Sequence, residues 1–134
     1  MTSRQLADLV ASIVPRTYGP GARHPATRTF QAFRIAVNRE LENLEVFLAK
    51  VPALIETGGR LVVLTYHSLE DRIIKRAMAQ WEKGCICPPD LPQCACGRKP
   101  LFKRVNKRGL RPERQEIEKN PRSRSAMMRA AERI

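Results

Sequence analysis

The chain has 134 residues, with 25 Lys and Arg against 13 Asp and Glu, a formal net charge of +12. That length fits one domain and not two ordinary ones, and an apolar fraction of 43% with 5% aromatics builds a modest core, which excludes wholesale disorder. No apolar run reaches the roughly 18 to 20 residues of a membrane span, and the opening MTSRQLADLV lacks a basic leader followed by an apolar stretch, so a soluble cytoplasmic protein with no membrane partner is expected.

Residues 2–14 predict a short helix, capped by Thr2 or Ser3, with Leu6, Leu9, Val10 and Ile13 on one face and Pro15 as its stop. Residues 15–25 hold three prolines and two glycines and read as a loop. Thr27 opens the strongest helical pattern in the chain, in which Phe30, Phe33, Val37, Leu41, Leu44 and Leu48 recur at three- and four-residue spacing. Pro52 marks a kink or break, and Gly58-Gly59 stops the helix before the run Arg60 to Tyr66. That run is short, apolar and rich in β-branched residues without strict alternation, as strands covered on both faces of a parallel sheet read. Ser68 with Asp71 makes an approximate capping box for a helix from Leu69 to about Lys83.

A proline- and cysteine-rich loop spans residues 84–97, after which residues 101–107 predict a strand and residues 112–119 one or two helical turns. Residues 125–134 are ambiguous: Ala-Met-Met-Arg-Ala-Ala favours helix by propensity but also suits a final strand. Charge is unevenly placed along this order. From Arg98 onward there are 13 basic and 4 acidic residues, a net of +9, against +3 in the first 97 residues. Such asymmetry points to a polyanion partner, because Lys and Arg gain by displacing counterions from phosphates; the alternative is a solvated basic tail.

Three clusters carry chemistry-bearing residues. Cys85, Cys87, Cys94 and Cys96 form two C-x-C pairs within twelve residues. Four thiolates complete a tetrahedral zinc site, and the prolines between the pairs limit the entropy lost on closure. Zinc ribbons ordinarily use C-x-x-C, so reduced, metal-free thiols in a stiff loop remain the alternative, and disulfides are disfavoured in a cytoplasmic protein. His67 and Ser68 lie at the carboxyl end of the expected strand, where ligands of open α/β sheets bind and a helix N-terminus meets anions, although a polar turn and a cap explain them equally. His24 precedes the long helix, whose Arg28, Arg34 and Arg39 fall on different faces. No G-x-G-x-x-G or P-loop pattern follows an expected strand, and Cys87-Pro88-Pro89-Asp90 lacks the flanking residues of amine-methylating motifs.

Several segments together carry a resemblance. The run from His24 through Asn38 to Glu42, then Gly58-Gly-Arg-Leu-Val-Val, then Tyr66-His-Ser-Leu-Glu-Asp-Arg-Ile-Ile-Lys75 resembles the bacterial small-subunit ribosomal RNA cytosine-N4 methyltransferase family. The cysteine loop and Asn120-Pro-Arg-Ser-Arg-Ser-Ala126 continue it in the same order. The resemblance implies an α/β fold: the C-terminal portion of a doubly wound, Rossmann-like methyltransferase sheet plus the end of a helical substrate-recognition insertion. Residues 1–41 would end that insertion and return to the core, and residues 42–134 would complete the core with the Cys-rich loop at 84–97. The activity implied is methyl transfer from S-adenosylmethionine to N4 of a decoding-site cytidine, with ribosomal RNA or the small ribosomal subunit as partner. The family's glycine-rich cofactor loop has no counterpart here, so no cofactor-binding or catalytic residue is carried over, and the missing N-terminal half is a required partner for activity. His24, Arg28, Arg34, Asn38, His67, Ser68 and Arg72 match family positions and are expected on the RNA side of the cleft. A basic RNA-binding module without catalysis, with or without a zinc ion in its loop, is the alternative function, and a structural remnant with an exposed sheet edge is a third.

Overall fold

In the computed structural model, which describes residues 2–15, 24–88 and 90–134, the chain divides into two compact units, Met1–Glu42 and Asn43–Ile134. The first unit contains helix α1, Ser3–Ile13, and helix α2, Thr27–Asn38. Thr2 caps α1 in a full capping box: its Oγ accepts from the Gln5 N–H at 3.3 Å, while Gln5 Oε1 accepts from the Thr2 N–H at 2.7 Å. The expected loop falls largely on residues 16–23, outside the described residues.

The long apolar pattern that opens at Thr27 is two helices, not one. Arg39 adopts φ 51° and ψ 38°, in the left-handed region, and α3, Glu40–Leu54, begins immediately after it. A left-handed non-glycine residue costs about 1–2 kcal/mol. Two features offset it here: Arg39 Nε donates to Glu42 at 2.6 Å, and Glu40 and Glu42 place negative charge on the first turn of α3. Hydrophobic spacing alone cannot register such a break, because α3 resumes the same periodicity.

In the second unit, Pro52 sits inside α3 without ending it. The helix needs only two more residues, and the Ile55 N–H still reaches the Val51 carbonyl at 3.2 Å, so the lost proline donor is tolerated. Strand β1, Arg60–Thr65, leads to helix α4, Ser68–Lys83; β2 is Phe102–Arg104, α5 is Arg114–Lys119, and a 3₁₀ turn, Pro121–Ser125, leads into β3, Met127–Arg133. The ambiguous last segment is therefore a strand.

It is also the central one. The sheet order is β1-β3-β2, and both ladders are antiparallel, so the parallel neighbours expected for β1 are absent among the described residues. Pairing on both edges overrides the helical propensity of the Ala-Met segment. Asn106 extends the ladder beyond β2 through its side chain, donating to the Met128 carbonyl at 3.1 Å and accepting from the Ala130 N–H at 2.8 Å.

The inner face packs Leu61, Phe102 and Ala131 against Leu48 and Val51 of α3 and Ile74 and Met78 of α4. Trp81 tilts against Phe102 with ring centroids 4.9 Å apart, and the Arg133 guanidinium lies 5.3 Å from the same ring. The outer face is open: Val62 and Leu64 are 57% and 56% exposed. The near-continuous apolar reading of β1 thus describes a strand with one covered face in this chain.

Candidate functional site

The turn between β1 and α4 contains the densest set of polar side chains matched by the family resemblance. Its cap is displaced by one residue from the expected Ser68–Asp71 pair. His67 is the N-cap: its Nδ1 accepts from the Glu70 N–H at 3.3 Å, and Glu70 Oε2 accepts from the N–H groups of His67 at 3.3 Å and Tyr66 at 3.0 Å. Ser68 is exposed at the first helical position and Arg72 is exposed one turn on. The first turn is thus self-capped and carries two carboxylates, Glu70 and Asp71. That is the opposite polarity from an anion site.

Asp71, expected to cap, instead reaches across to β3. Arg129 Nε and Nη2 donate to its two carboxylate oxygens at 2.6 and 3.0 Å, and the Arg129 side chain is only 9% exposed. This bidentate pair fixes α4 to the central strand, and sequence reasoning missed it. The signal was available: an arginine in the middle of Ala126 to Ala131, once that segment is a central strand, has to be buried and therefore paired. Glu82 makes a second such link, accepting from the Arg104 N–H at 3.1 Å and Nε at 2.7 Å. The Arg104 guanidinium and backbone hydrogen bonds hold the Glu82 carboxyl below its ordinary pKa.

Gly84 ends α4 at φ 69°, and a Cβ there would lie 2.5 Å from the Lys99 carbonyl carbon, so only glycine lets the chain leave the helix beneath residue 99. Beyond it the cysteine loop folds its sulfurs together. Cys94 Sγ lies 3.5 Å from both Cys85 Sγ and Cys96 Sγ and 4.0 Å from Cys87 Sγ, and Cys96 lies 3.7 Å from Cys85. Backbone N–H groups of Ile86 and Arg98, followed by the Cys94 sulfur, pull the Cys96 thiol down to about 6. Cys85 accepts from the Cys87 N–H at 3.4 Å, which favours its thiolate, but its hydrogen bonds with the sulfurs of Cys94, Cys96 and Cys87 outweigh this and push it up to about 11.

The remaining sequence-derived residues lie in the first unit. His24 Nδ1 accepts from the Ala26 N–H at 3.2 Å and helps start α2. Arg28 is exposed on the first turn of α2. Arg34 Nε pairs with Glu40 at 2.9 Å, and Asn38 donates to the same carboxylate at 3.2 Å, so these two converge. The expected RNA-facing set thus draws on both units: His67, Ser68 and Arg72 lie at the start of α4, and Arg34 and Asn38 share Glu40. In the C-terminal third, ten of the thirteen Lys and Arg are exposed, the exceptions being Arg104, Arg129 and Arg133. A groove of about 300 Å³ between α3 and α4 has an apolar floor of Leu48, Ile73, Ala77 and Trp81, with Glu45 and Arg76 on its walls. No helix of the described residues is long and apolar enough to cross a membrane.

On geometry alone, the second unit is a basic α/β module whose strand–helix turn is committed to its own fold and whose one dense cluster of nucleophilic side chains is the thiol set. Comparison with known sequences places it among methyltransferases. The model of the MraW methylase family matches residues 1–134, and the chain belongs to that family. It is 56% identical over 127 residues to the ribosomal RNA small subunit methyltransferase H of Dehalococcoides mccartyi, covering 93% of this chain and 36% of that protein. The proteins of the same name from Lawsonia intracellularis and Syntrophotalea carbinolica are 48% and 50% identical over 134 residues, covering 99% and 100% of this chain and 43% of each relative. The chain thus spans about two fifths of the length of these relatives.

Proposed function

We propose that this chain is the C-terminal, RNA-facing portion of a methyltransferase that modifies N4 of a cytidine in the decoding site of small-subunit ribosomal RNA, with S-adenosylmethionine as methyl donor. The observation that carries the reading is the match to the MraW methylase family over residues 1–134, with relatives named as ribosomal RNA small subunit methyltransferases. The exposed basic residues of the C-terminal third supply the electrostatics that such a partner requires.

The residues present do not fit a donor cradle. The turn after β1 is Tyr66-His67-Ser68 with no glycine, and the N–H groups of Tyr66, His67 and Glu70 are already taken by the Glu70 carboxylate and His67 Nδ1. We therefore assign the donor to the part of the relatives that this chain does not span, and no step of the transfer to residues here. The open face of Val62 and Leu64 supports the same reading, since a doubly wound sheet continued by the rest of the enzyme covers such a face. This chain's task is to bind and orient RNA. Arg28 and Arg34 hold phosphates, His24 helps start α2 and Asn38 shares Glu40 with Arg34, and Ser68 and Arg72 approach the RNA beside the strand end that His67 orders. The acceptor base has to leave its stack, which an unpaired RNA loop permits.

Affinity for a small-subunit RNA fragment, measured by this chain over a salt series, is the direct test. Log affinity should fall by about 0.7 per log unit of salt for each phosphate contact to single-stranded RNA. Arg28→Ala and Arg34→Ala should each weaken binding and reduce the slope, and a flat salt dependence would overturn the reading. A second reading, an RNA-binding module without catalysis, draws on the absence of a glycine-rich nucleotide loop from these 134 residues. Methylation of the RNA by the full-length relative but not by one carrying Arg28→Ala and Arg34→Ala separates the two. Tight binding of S-adenosylmethionine by this chain alone would contradict the placement of the donor elsewhere.

A further inference from the structure

We propose that Cys85, Cys87, Cys94 and Cys96 form a closed structural zinc site that staples the loop between α4 and β2. The geometry carries it. All four Sγ atoms lie within 4.8 Å of one another, with Cys94 at 3.5 Å from Cys85 and Cys96 and 4.0 Å from Cys87, and Cys96 at 3.7 Å from Cys85. A tetrahedron with metal–sulfur bonds of about 2.3 Å has sulfur–sulfur edges of about 3.8 Å, the centre of that range.

The backbone is arranged for thiolates as well. Cys85 Sγ accepts the N–H of Cys87, two residues on, at 3.4 Å. The first C-x-C pair thus has an amide-to-sulfur bond, a hydrogen bond that favours the charged sulfur. Gly97, directly after the last cysteine, adopts φ 61°, the left-handed region that glycine enters without strain. Thiolates at these separations repel, and a divalent cation in their centre removes the repulsion. Lys83, Arg98 and Lys99 flank the loop and balance the residual negative charge of a four-thiolate site.

The ligand chemistry selects zinc. Hard cations prefer oxygen donors, and an iron–sulfur cluster interposes iron and sulfide between its cysteines, which spreads them beyond the separations found here. Four protein ligands leave no open coordination position, so the site is structural rather than catalytic. Its consequence is positional. The loop begins at the Gly84 cap of α4 and returns where the Leu101 N–H meets the Trp81 carbonyl at 2.8 Å. A metal at its centre therefore fixes Arg98 and Lys99, the first charges of the basic third, beside β2.

The intact chain, purified under reducing conditions without added metal, should carry one zinc per molecule by elemental analysis. A thiol-modifying mercurial should release that zinc as four thiols become titratable, and cobalt exchanged into the chain should give the intense visible absorption of tetrahedral thiolate coordination. Cys94→Ser should lose the metal, and if that variant fails to fold, the release and cobalt measurements on the unmodified chain still decide the matter. A folded, metal-free chain with four freely alkylated thiols would overturn the proposal, as would two disulfides in place of thiols or iron with acid-labile sulfide.

Discussion

The β1–α4 turn and the cysteine loop sit at opposite ends of helix α4 and were the two most chemical-looking stretches of the sequence, yet they resolve oppositely. At the turn, most of the polar capacity is spent on the fold: His67 Nδ1 and Glu70 cap one another and Asp71 is locked to Arg129, which leaves His67 Nε2 buried without a hydrogen-bond partner. In the loop, the sulfurs face only each other and nearby amides. A run of functional-looking residues at a strand end can therefore be a set of fold determinants, while an irregular spacing such as C-x-C can enclose a ligand-shaped space. The difference lies in where the hydrogen-bonding capacity goes.

The sharpest way to break that comparison is to remove Asp71. Asp71→Ala leaves Arg129 buried without its counter-ion, and unfolding by denaturant should show a loss of about 3–5 kcal/mol. Replacing both partners, Asp71→Leu with Arg129→Met, should recover much of that loss, because the cost is the orphaned charge rather than the missing attraction. If Asp71→Ala costs under about 1 kcal/mol, the turn is not committed to the fold in the way described.

At the other end of α4, chelation or Cys94→Ser should lower stability by about 2.7 kcal/mol when free zinc stands a hundredfold above its dissociation constant, read as a metal-dependent melting temperature. Loss confined to residues 85–100 by hydrogen exchange, with α4 still protected, would place the effect in the loop as the geometry requires. His67→Ala comes next, at about 1 kcal/mol for a lost N-cap, and His67→Asn should restore it because asparagine caps equally well. In a full-length relative, activity that follows the cap, lost in the alanine variant and regained with asparagine, marks His67 as a positioning residue. Activity lost in both would assign the imidazole a role beyond the cap.

Much of the fold was legible because it obeys local rules. The α1 capping box, the strand after Gly58-Gly59 and the helix that Gly84 ends all follow from neighbouring residues. What was illegible depended on distant partners. The identity of β3 rests on pairing with β1 and β2, 62 or more residues away for the Thr65 to Met127 contact, and nothing in Ala-Met-Met-Arg-Ala-Ala encodes it. The break at Arg39 is invisible to periodicity because apolar spacing continues through it. Of the candidate site, the cysteines could be named from spacing, but the return of their loop depends on the close approach at Gly84 and on where residue 101 docks. The pairing of half-buried Asp71 with buried Arg129 became readable only once β3 was known to be central.

The smallest expected effect tests the link between β2 and the last turn of α4, where the contrast between the two ends of the helix is weakest. Glu82 gives up its proton more readily in the folded chain than the ordinary value of 4.5 allows, because Arg104 donates to it from both side chain and backbone. Unfolding in acid therefore takes up a proton at Glu82. The pair contributes fully above pH 4.5, and its contribution disappears as the pH falls through the lower folded-state pKa. Partial exposure of both side chains limits the effect to no more than about 1 kcal/mol. Glu82→Gln should thus reduce stability slightly at neutral pH and flatten its decline below pH 4.5, with little difference from the unmodified chain once both carboxyl forms are neutral. An unchanged acid limb in the variant would mean that the antiparallel β2–β3 ladder and the Trp81–Phe102 contact hold this corner without the ion pair.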